Sequence, residues 1–312
     1  MLGERKGTYR ITNWRKYNEA LVSRGSLTLW LDEESLAAWN HANDEVRRGR
    51  PFVYSDAAVE CLLTLREVFR LPYRQTEGLA RSVIPLMGLE IPVPDYSSLA
   101  KRAGKLSIDL NVVRRGGPID LVVDSTGLKV FGEGEWKVRK HGAGKHRTWR
   151  KLHLAINAKT QEIEAAVVST NGHDADHAAP LLKQIDRPIR SFRGDSAYDQ
   201  WKVYGALADR NIHGFIPPRH NAKIKQHGNV RGTSLPRDQT IRRIREVGRS
   251  GGKNEVDYHQ RSLAETAVFR VKTIFGSELK NRELPNQRTE GMLRCKALNK
   301  MTNLGLPQFE WS

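Results

Sequence analysis

Between residues 117 and 217 short apolar runs alternate with amphipathic stretches, and their order limits the fold more than any other feature. IDLVVDSTGLKV, from Ile119, reads as an apolar strand. KLHLAINAKT and EIEAAVVST follow with partial alternation, separated by a short polar turn, and read as a hairpin. DADHAAPLLKQI then reads as a helix with an acidic first turn, and SFRGDSAY as a short strand entering a turn. DQWKVYGALADRN reads as a helix capped by Asp199, and HGFIPPR as a last short strand. A hairpin followed by alternating helices and strands predicts a mixed sheet with helices on both faces.

A further helix is predicted from Tyr258 to Phe275, ended by Gly276. At about 100° per residue, Tyr258, Arg261, Glu265 and Lys272 share a polar arc about 60° wide. Leu263, Ala264, Ala267, Val268, Val271, Ile274 and Phe275 fill the opposite side, which is expected to pack on the sheet. The bland alternative is an amphipathic surface helix in which Arg261 pairs with Glu265 four residues on.

Three carboxylates stand out against this framework: Asp124 and Asp195 in strand-like runs, and Glu265 on the helix. Strand ends and a facing helix can bring such groups together in space. Mg²⁺ takes a few carboxylate oxygens plus water and phosphate oxygens, and two such ions can activate the attacking oxygen and stabilise the leaving one. Asp120 shares the strand face of Asp124 and rivals it, and Asp199 rivals Asp195. In HDADH, residues 173–177, Asp174 or Asp176 is expected to cap the following helix rather than bind metal. His141, His146 and His153 lie among basic residues and are expected to meet phosphate or solvent.

Charge points the same way. The 312 residues carry 52 Lys and Arg against 35 Asp and Glu, a net +17 that favours a polyanionic partner. Residues 129–151 hold +6 of this and residues 219–254 hold +8. Both are rich in Gly and polar side chains and read as long loops able to grip phosphates, with Lys137, Arg139 and Lys140 in the first and Arg242, Arg243 and Arg245 in the second. Solvated loops without a ligand are the alternative. Two cysteines, Cys61 and Cys295, make no disulfide framework. No run approaches the ~18–20 apolar residues of a membrane span, so a soluble cytoplasmic protein is expected.

Before residue 117 the pattern is helical. ITNWRKYNEALVSRG and DEESLAAWNHANDEV read as short helices, and SDAAVECLLTLREVFRL as a longer one capped by Ser55. PYRQTEGLARSVIPLMGL follows, with Thr76 as a candidate cap, and then a basic helix after Pro94-Asp95. That last helix carries Lys101, Arg102 and Lys105, so residues 1–116 suit a helix-turn-helix-like DNA-binding region, or simple helical packing. Residues 117–312 would form the second domain, with 219–254 as its basic loop.

These residues also carry a resemblance. The spacing of Tyr258, Arg261, Glu265 and Lys272 is the Tyr-x2-Arg-x3-Glu-x6-Lys pattern of DDE transposases of bacterial insertion sequences, and the chain is most similar to the insertion-sequence-five family. VDSTGLKV and RGDSAYD resemble the regions of that family's two catalytic Asp residues, and YRQTEGL and VPDYSSL its N-terminal part. The resemblance implies an RNase H-like catalytic core and two Mg²⁺ ions, with Mn²⁺ as a substitute, held by Asp124, Asp195 and Glu265. It implies phosphate contacts from Arg261 and Lys272, buttressed by Tyr258. The implied partner is double-stranded DNA, bound at terminal inverted repeats by a homodimer in the bacterial nucleoid. The implied reaction is hydrolysis at the transposon ends followed by joining of the 3′-OH ends to target DNA. An RNase H-like nuclease without strand transfer, or a non-catalytic DNA-binding descendant, is the alternative.

Overall fold

Two compact units make up the chain: residues 1–106 with 296–312, and residues 107–295. The division lies ahead of the 116/117 boundary expected from sequence and assigns the last residues to the first unit. The computed structural model describes residues 9–43, 49, 51–130, 149–170, 172–226 and 235–311.

In the first unit, helices α1 (Trp14–Ser23), α2 (Leu27–Trp30) and α3 (Glu33–Ala37) precede α4 (Asp56–Val68), α5 (Tyr73–Leu86) and α6 (Tyr96–Ala103). Strand β1 (Tyr9–Ile11) pairs antiparallel with the C-terminal strand Phe309–Trp311. Ser55 caps α4 as expected, its Oγ accepting from the Ala58 amide at 3.0 Å. Leu62, Leu63, Leu65, Ile84 and Leu99 are fully buried where α4, α5 and α6 pack together. Two expectations fail here. Thr76 is not a cap: α5 has already begun at Tyr73, after Pro72, and the Thr76 hydroxyl donates to the Pro72 carbonyl at 3.0 Å. The basic helix is also short, because α6 ends at Ala103.

The second unit is built on β2 (Ile119–Val130), β3 (Trp149–Asn157), β4 (Ile163–Ser169), β5 (Ile189–Arg193), β6 (His213–Phe215) and the two-residue β7 (Glu278–Leu279). The sheet order is β4-β3-β2-β5-β6, with β7 pairing to the end of β2. β2, β3 and β4 run antiparallel, while β5 and β6 run parallel to β2. Parallel neighbours need crossover connections. A 3₁₀ turn (Asp174–His177) and α7 (Ala178–Lys183) supply the first, and α8 (Trp201–Ala208) the second. Ile119, Leu121 and Val123, alternating along β2, share one core with Ala178, Leu181 and Leu182 of α7 and Val203, Tyr204 and Leu207 of α8. α10 (Ser262–Phe275) packs on β2 and β3 through buried Ala264, Ala267, Val271 and Phe275, and stops at Gly276, whose φ of 92° suits glycine. This is the mixed, helix-flanked sheet expected from the sequence.

The second half of one basic segment is not a loop. Residues Pro236–Glu255 form α9, broken only at Gly248 (φ 75°), with Ile241, Ile244 and Val247 three residues apart. Arg is a good helix former and Pro236 occupies the first turn, so a basic composition does not oppose a helix. Residues 227–234 and 131–148 lie outside the described residues, and with them Lys137, Arg139, Lys140, His141 and His146. α11 (Leu284–Leu304) runs on to strand β8 (Phe309–Trp311). Among the described residues, no helix is long and apolar enough to cross a membrane.

Candidate active site

Asp124 lies midway along β2, opposite Leu154 of β3. Its side chain points away from the Val123 face, and its Oδ1 accepts the Ser125 amide at 2.8 Å. Asp195 sits just past β5. Val122 and Arg193 are partners across β2 and β5, so Asp124 and Asp195 each lie two residues beyond the same rung. Asp195 Oδ1 accepts the Ala197 amide at 2.8 Å and so caps the 3₁₀ turn Ser196–Tyr198. Glu265 is in the first turn of α10.

Arg261 connects two of the three. Its Nη1 is 3.4 Å from Asp124 Oδ2, and its Nη2 donates to Glu265 Oε1. The i,i+4 pair considered from sequence therefore forms, and it extends to Asp124. Burial raises the pKa of the Asp124 carboxyl, and Asp195 and Glu265 add to the rise, while the Ser125 amide and Arg261 oppose it. The Tyr258 phenol is pushed up to about 12, first by burial and then by Asp195, Asp124 and Glu265, against the opposing charge of Arg261. Both groups thus feel the charge of all the candidate carboxylates around them. Tyr258, in a 3₁₀ turn (Tyr258–Arg261) ahead of α10, donates its hydroxyl to the Gly194 carbonyl at 3.2 Å. Lys272 is half-buried two turns along α10 from Glu265.

Gly194 was not singled out by sequence, yet it shapes the turn. A Cβ there would lie 2.9 Å from Tyr198 Cδ2 and 3.1 Å from Val123 Cγ2. The Tyr198 ring is buried over it, edge-on to Phe192. The visible signal was the Gly preceding Asp195 and the aromatic residue three positions after it.

The rival carboxylates are engaged elsewhere. Asp120 accepts from Arg190 Nε at 3.1 Å and from Ser191 Oγ, which together with Arg190 holds its pKa down. Asp199 does not cap α8, whose N-cap is Gln200 without a side-chain bond. It is buried and paired with Arg237, at 2.6 Å to Nε and 2.9 Å to Nη2, and it accepts the Arg219 amide at 2.9 Å. A non-local partner outcompeted the local cap. Neither Asp174 nor Asp176 caps α7 either. Asp176 pairs with Lys202, and Asp174 accepts from Ser125 Oγ at 2.8 Å and Lys151 Nζ at 2.9 Å. His153 is fully buried against Ser169 and His177, not exposed to phosphate or solvent.

The candidate DNA contacts differ from one another. Lys101, Lys105 and Arg245 are exposed. Arg102 is spent on the Tyr54 carbonyl, on Asp56 and on the face of Phe52. Arg242 donates to the Gln226 carbonyl at 2.6 Å, and Arg243 pairs with Glu246 and Glu255.

A hard divalent cation matches the donor chemistry of Asp124, Asp195 and Glu265. As arranged here, no three His, Cys, Asp or Glu side chains among the described residues stand close enough to hold an ion together. Arg261 supplies the positive charge between Asp124 and Glu265 instead.

Two family models match the chain, each described as a transposase DDE domain, over residues 22–133 and 115–300. Among solved structures, a piggyBac transposase synaptic complex with hairpin DNA is 10% identical, with 89% of this chain and 75% of that chain covered and a TM-score of 0.43. The Drosophila P element transposase strand transfer complex is 10% identical, with 82% and 81% covered and a TM-score of 0.29. The second family model alone spans more than half of the sequence, and the chain belongs to the DDE transposases, the enzymes of DNA transposition.

Proposed function

We propose that this chain is the transposase of a bacterial insertion sequence of the insertion-sequence-five type. It binds the terminal inverted repeats of its element as a homodimer, hydrolyses a phosphodiester at each end and joins the freed 3′-OH to target DNA. The observation that carries this reading is the convergence on Arg261: one guanidinium spans Asp124 and Glu265, while Asp195 stands two residues past the rung that leads to Asp124.

Asp124, Asp195 and Glu265 would hold two Mg²⁺ ions, or Mn²⁺. When bound, such ions activate the attacking oxygen and stabilise the leaving one. The chain's own residues position the substrate. Arg261 would contact a phosphate beside the carboxylates, for which its planar fork is suited. Lys272, on the same arc of α10, meets a second phosphate. Tyr258 stays protonated at neutral pH and fixes the Gly194 carbonyl, and with it the turn that carries Asp195. In-line displacement needs mainly such positioning and charge neutralisation. The exposed Lys101 and Lys105 give the helical N-terminal unit a surface for the DNA backbone, whereas Arg102 serves the fold.

The test uses labelled duplexes carrying the inverted repeats that flank the gene, the purified chain, Mg²⁺ and a supercoiled target. End cleavage that leaves a 3′-OH, followed by its covalent joining to the target, is expected. Cleavage without joining would make the chain a nuclease, and binding without cleavage a non-catalytic descendant.

A further inference from the structure

The HDADH segment forms neither the cap expected of it nor a metal cluster, but it reaches the site from behind. Ser125 follows Asp124 on β2, so the two side chains leave opposite faces of the sheet. On the Ser125 face, the preceding side chains Ile119, Leu121 and Val123 are apolar and buried. Ser125 breaks that run, and its hydroxyl donates to Asp174 Oδ1 at 2.8 Å. The same oxygen accepts from Lys151 Nζ at 2.9 Å, and Lys151 also reaches the Gly172 carbonyl at 3.4 Å. His153, directly across from Ser125 on β3, is fully buried, with its Nδ1 3.6 Å from that oxygen and its Nε2 2.9 Å from Ser169 Oγ. The His177 ring closes the cluster, 4.0 Å from the His153 ring.

We propose that Asp174 is a positioning residue for Asp124. It acts from the far face of the sheet: its carboxylate pins the Ser125 hydroxyl, and this holds the β2 backbone that aims Asp124 and supplies the amide its carboxylate accepts. Lys151 neutralises Asp174 and anchors it to β3. A simple surface ion pair between Lys151 and Asp174 would not require Ser125, whereas positioning does. The inference rests on Asp124 being a catalytic carboxylate of the proposed transposase. It concerns this chain's orientation of that group and no step of the chemistry.

Three single variants and one double variant separate the possibilities. Ser125→Ala removes the link and leaves the Lys151 pair intact. Asp174→Asn keeps an oxygen able to accept from both Ser125 and Lys151, whereas Asp174→Ala does not. Loss of a partner that orients a metal-binding group typically costs about 10–100-fold. Single-turnover cleavage of end DNA at saturation should therefore slow about 10–100-fold in Ser125→Ala and in Asp174→Ala, with DNA affinity unchanged. The double variant should be no slower than the slower single one, and Asp174→Asn should retain most of the rate. Hydrogen exchange read without DNA should speed up across residues 119–130 in both Ala variants, with the rest of the second unit unchanged. Ser125→Ala cleaving at the wild-type rate, additive losses in the double variant, or equal losses for Asn and Ala at 174 would overturn the proposal. If the wild-type chain fails to cut end DNA, the transposase reading fails, and unchanged exchange across residues 119–130 would then reject the positioning on its own.

Discussion

Replacing Asp199 by Ala should destabilise the unit of residues 107–295 without touching its chemistry. The Asp199 side chain is fully buried, that of Arg237 is 11% exposed, and two bonds of 2.6 and 2.9 Å join them. Asp199 also accepts the Arg219 amide, and the Arg237 guanidinium lies 5.0 Å from the Trp201 ring. Removing the carboxylate leaves a buried cation without a counter-charge, a change that costs about 3–5 kcal/mol. For a domain of this size each kcal/mol moves Tm by about 2–4 °C, so the variant should melt about 6–20 °C lower. Calorimetry or circular dichroism on the full chain reads this directly. Below its melting point the variant should cut DNA at the normal rate, because Asp199 touches none of Asp124, Asp195 or Glu265. Replacing both partners together, Asp199→Leu with Arg237→Met, should recover most of the loss, since a buried pair exchanged for apolar groups of similar volume is often nearly neutral. A variant that melts normally and loses cleavage would refute the reasoning and restore Asp199 as a rival to Asp195.

Gly194→Ala should cost about 1–3 kcal/mol by overpacking and slow cleavage as well, because its Cβ would push on Tyr198 and Val123 beside Asp195; a thermal melt paired with a cleavage assay checks both. Burial, helped by His177, lowers the His153 imidazole from 6.5 to about 4. The unfolded chain therefore takes up this proton first, and the contribution of neutral His153 is present above pH 6.5 and lost as pH falls towards about 4, by up to ~3 kcal/mol. The stability advantage of the wild type over His153→Asn, followed by urea unfolding across that window, should shrink with falling pH. Arg261→Ala and Lys272→Ala should each make the salt dependence of end binding shallower by about one unit, read from log–log slopes of affinity against salt.

What was legible from sequence was what short-range pattern encodes. β2 to β6 were found because their apolar runs are bounded by turn residues, and α10 because its apolar arc repeats at helical period until Gly276. The row Tyr258, Arg261, Glu265 and Lys272 was readable for the same reason, although its first turn is 3₁₀. α9 was hidden by its own charge: only three apolar residues, Ile241, Ile244 and Val247, mark its inner side among many Arg. The caps failed wherever a distant partner existed. Asp199 looked like the start of α8 because Arg237, 38 residues on, could not be foreseen. Asp174 looked like the cap of α7 because Ser125 and Lys151 lie on other strands. Arg102 looked like a DNA contact until Asp56 and Tyr54 claimed it.

The central claim is that Asp124, Asp195 and Glu265 act together on DNA. The most direct test is single-turnover cleavage of end DNA in Mg²⁺ by Asp124→Ala, Asp195→Ala and Glu265→Ala, each compared with its own DNA affinity and melting temperature. The account predicts three folded proteins that still bind the ends and none that cuts or joins them. Cleavage at the wild-type rate by any one of the three would contradict it.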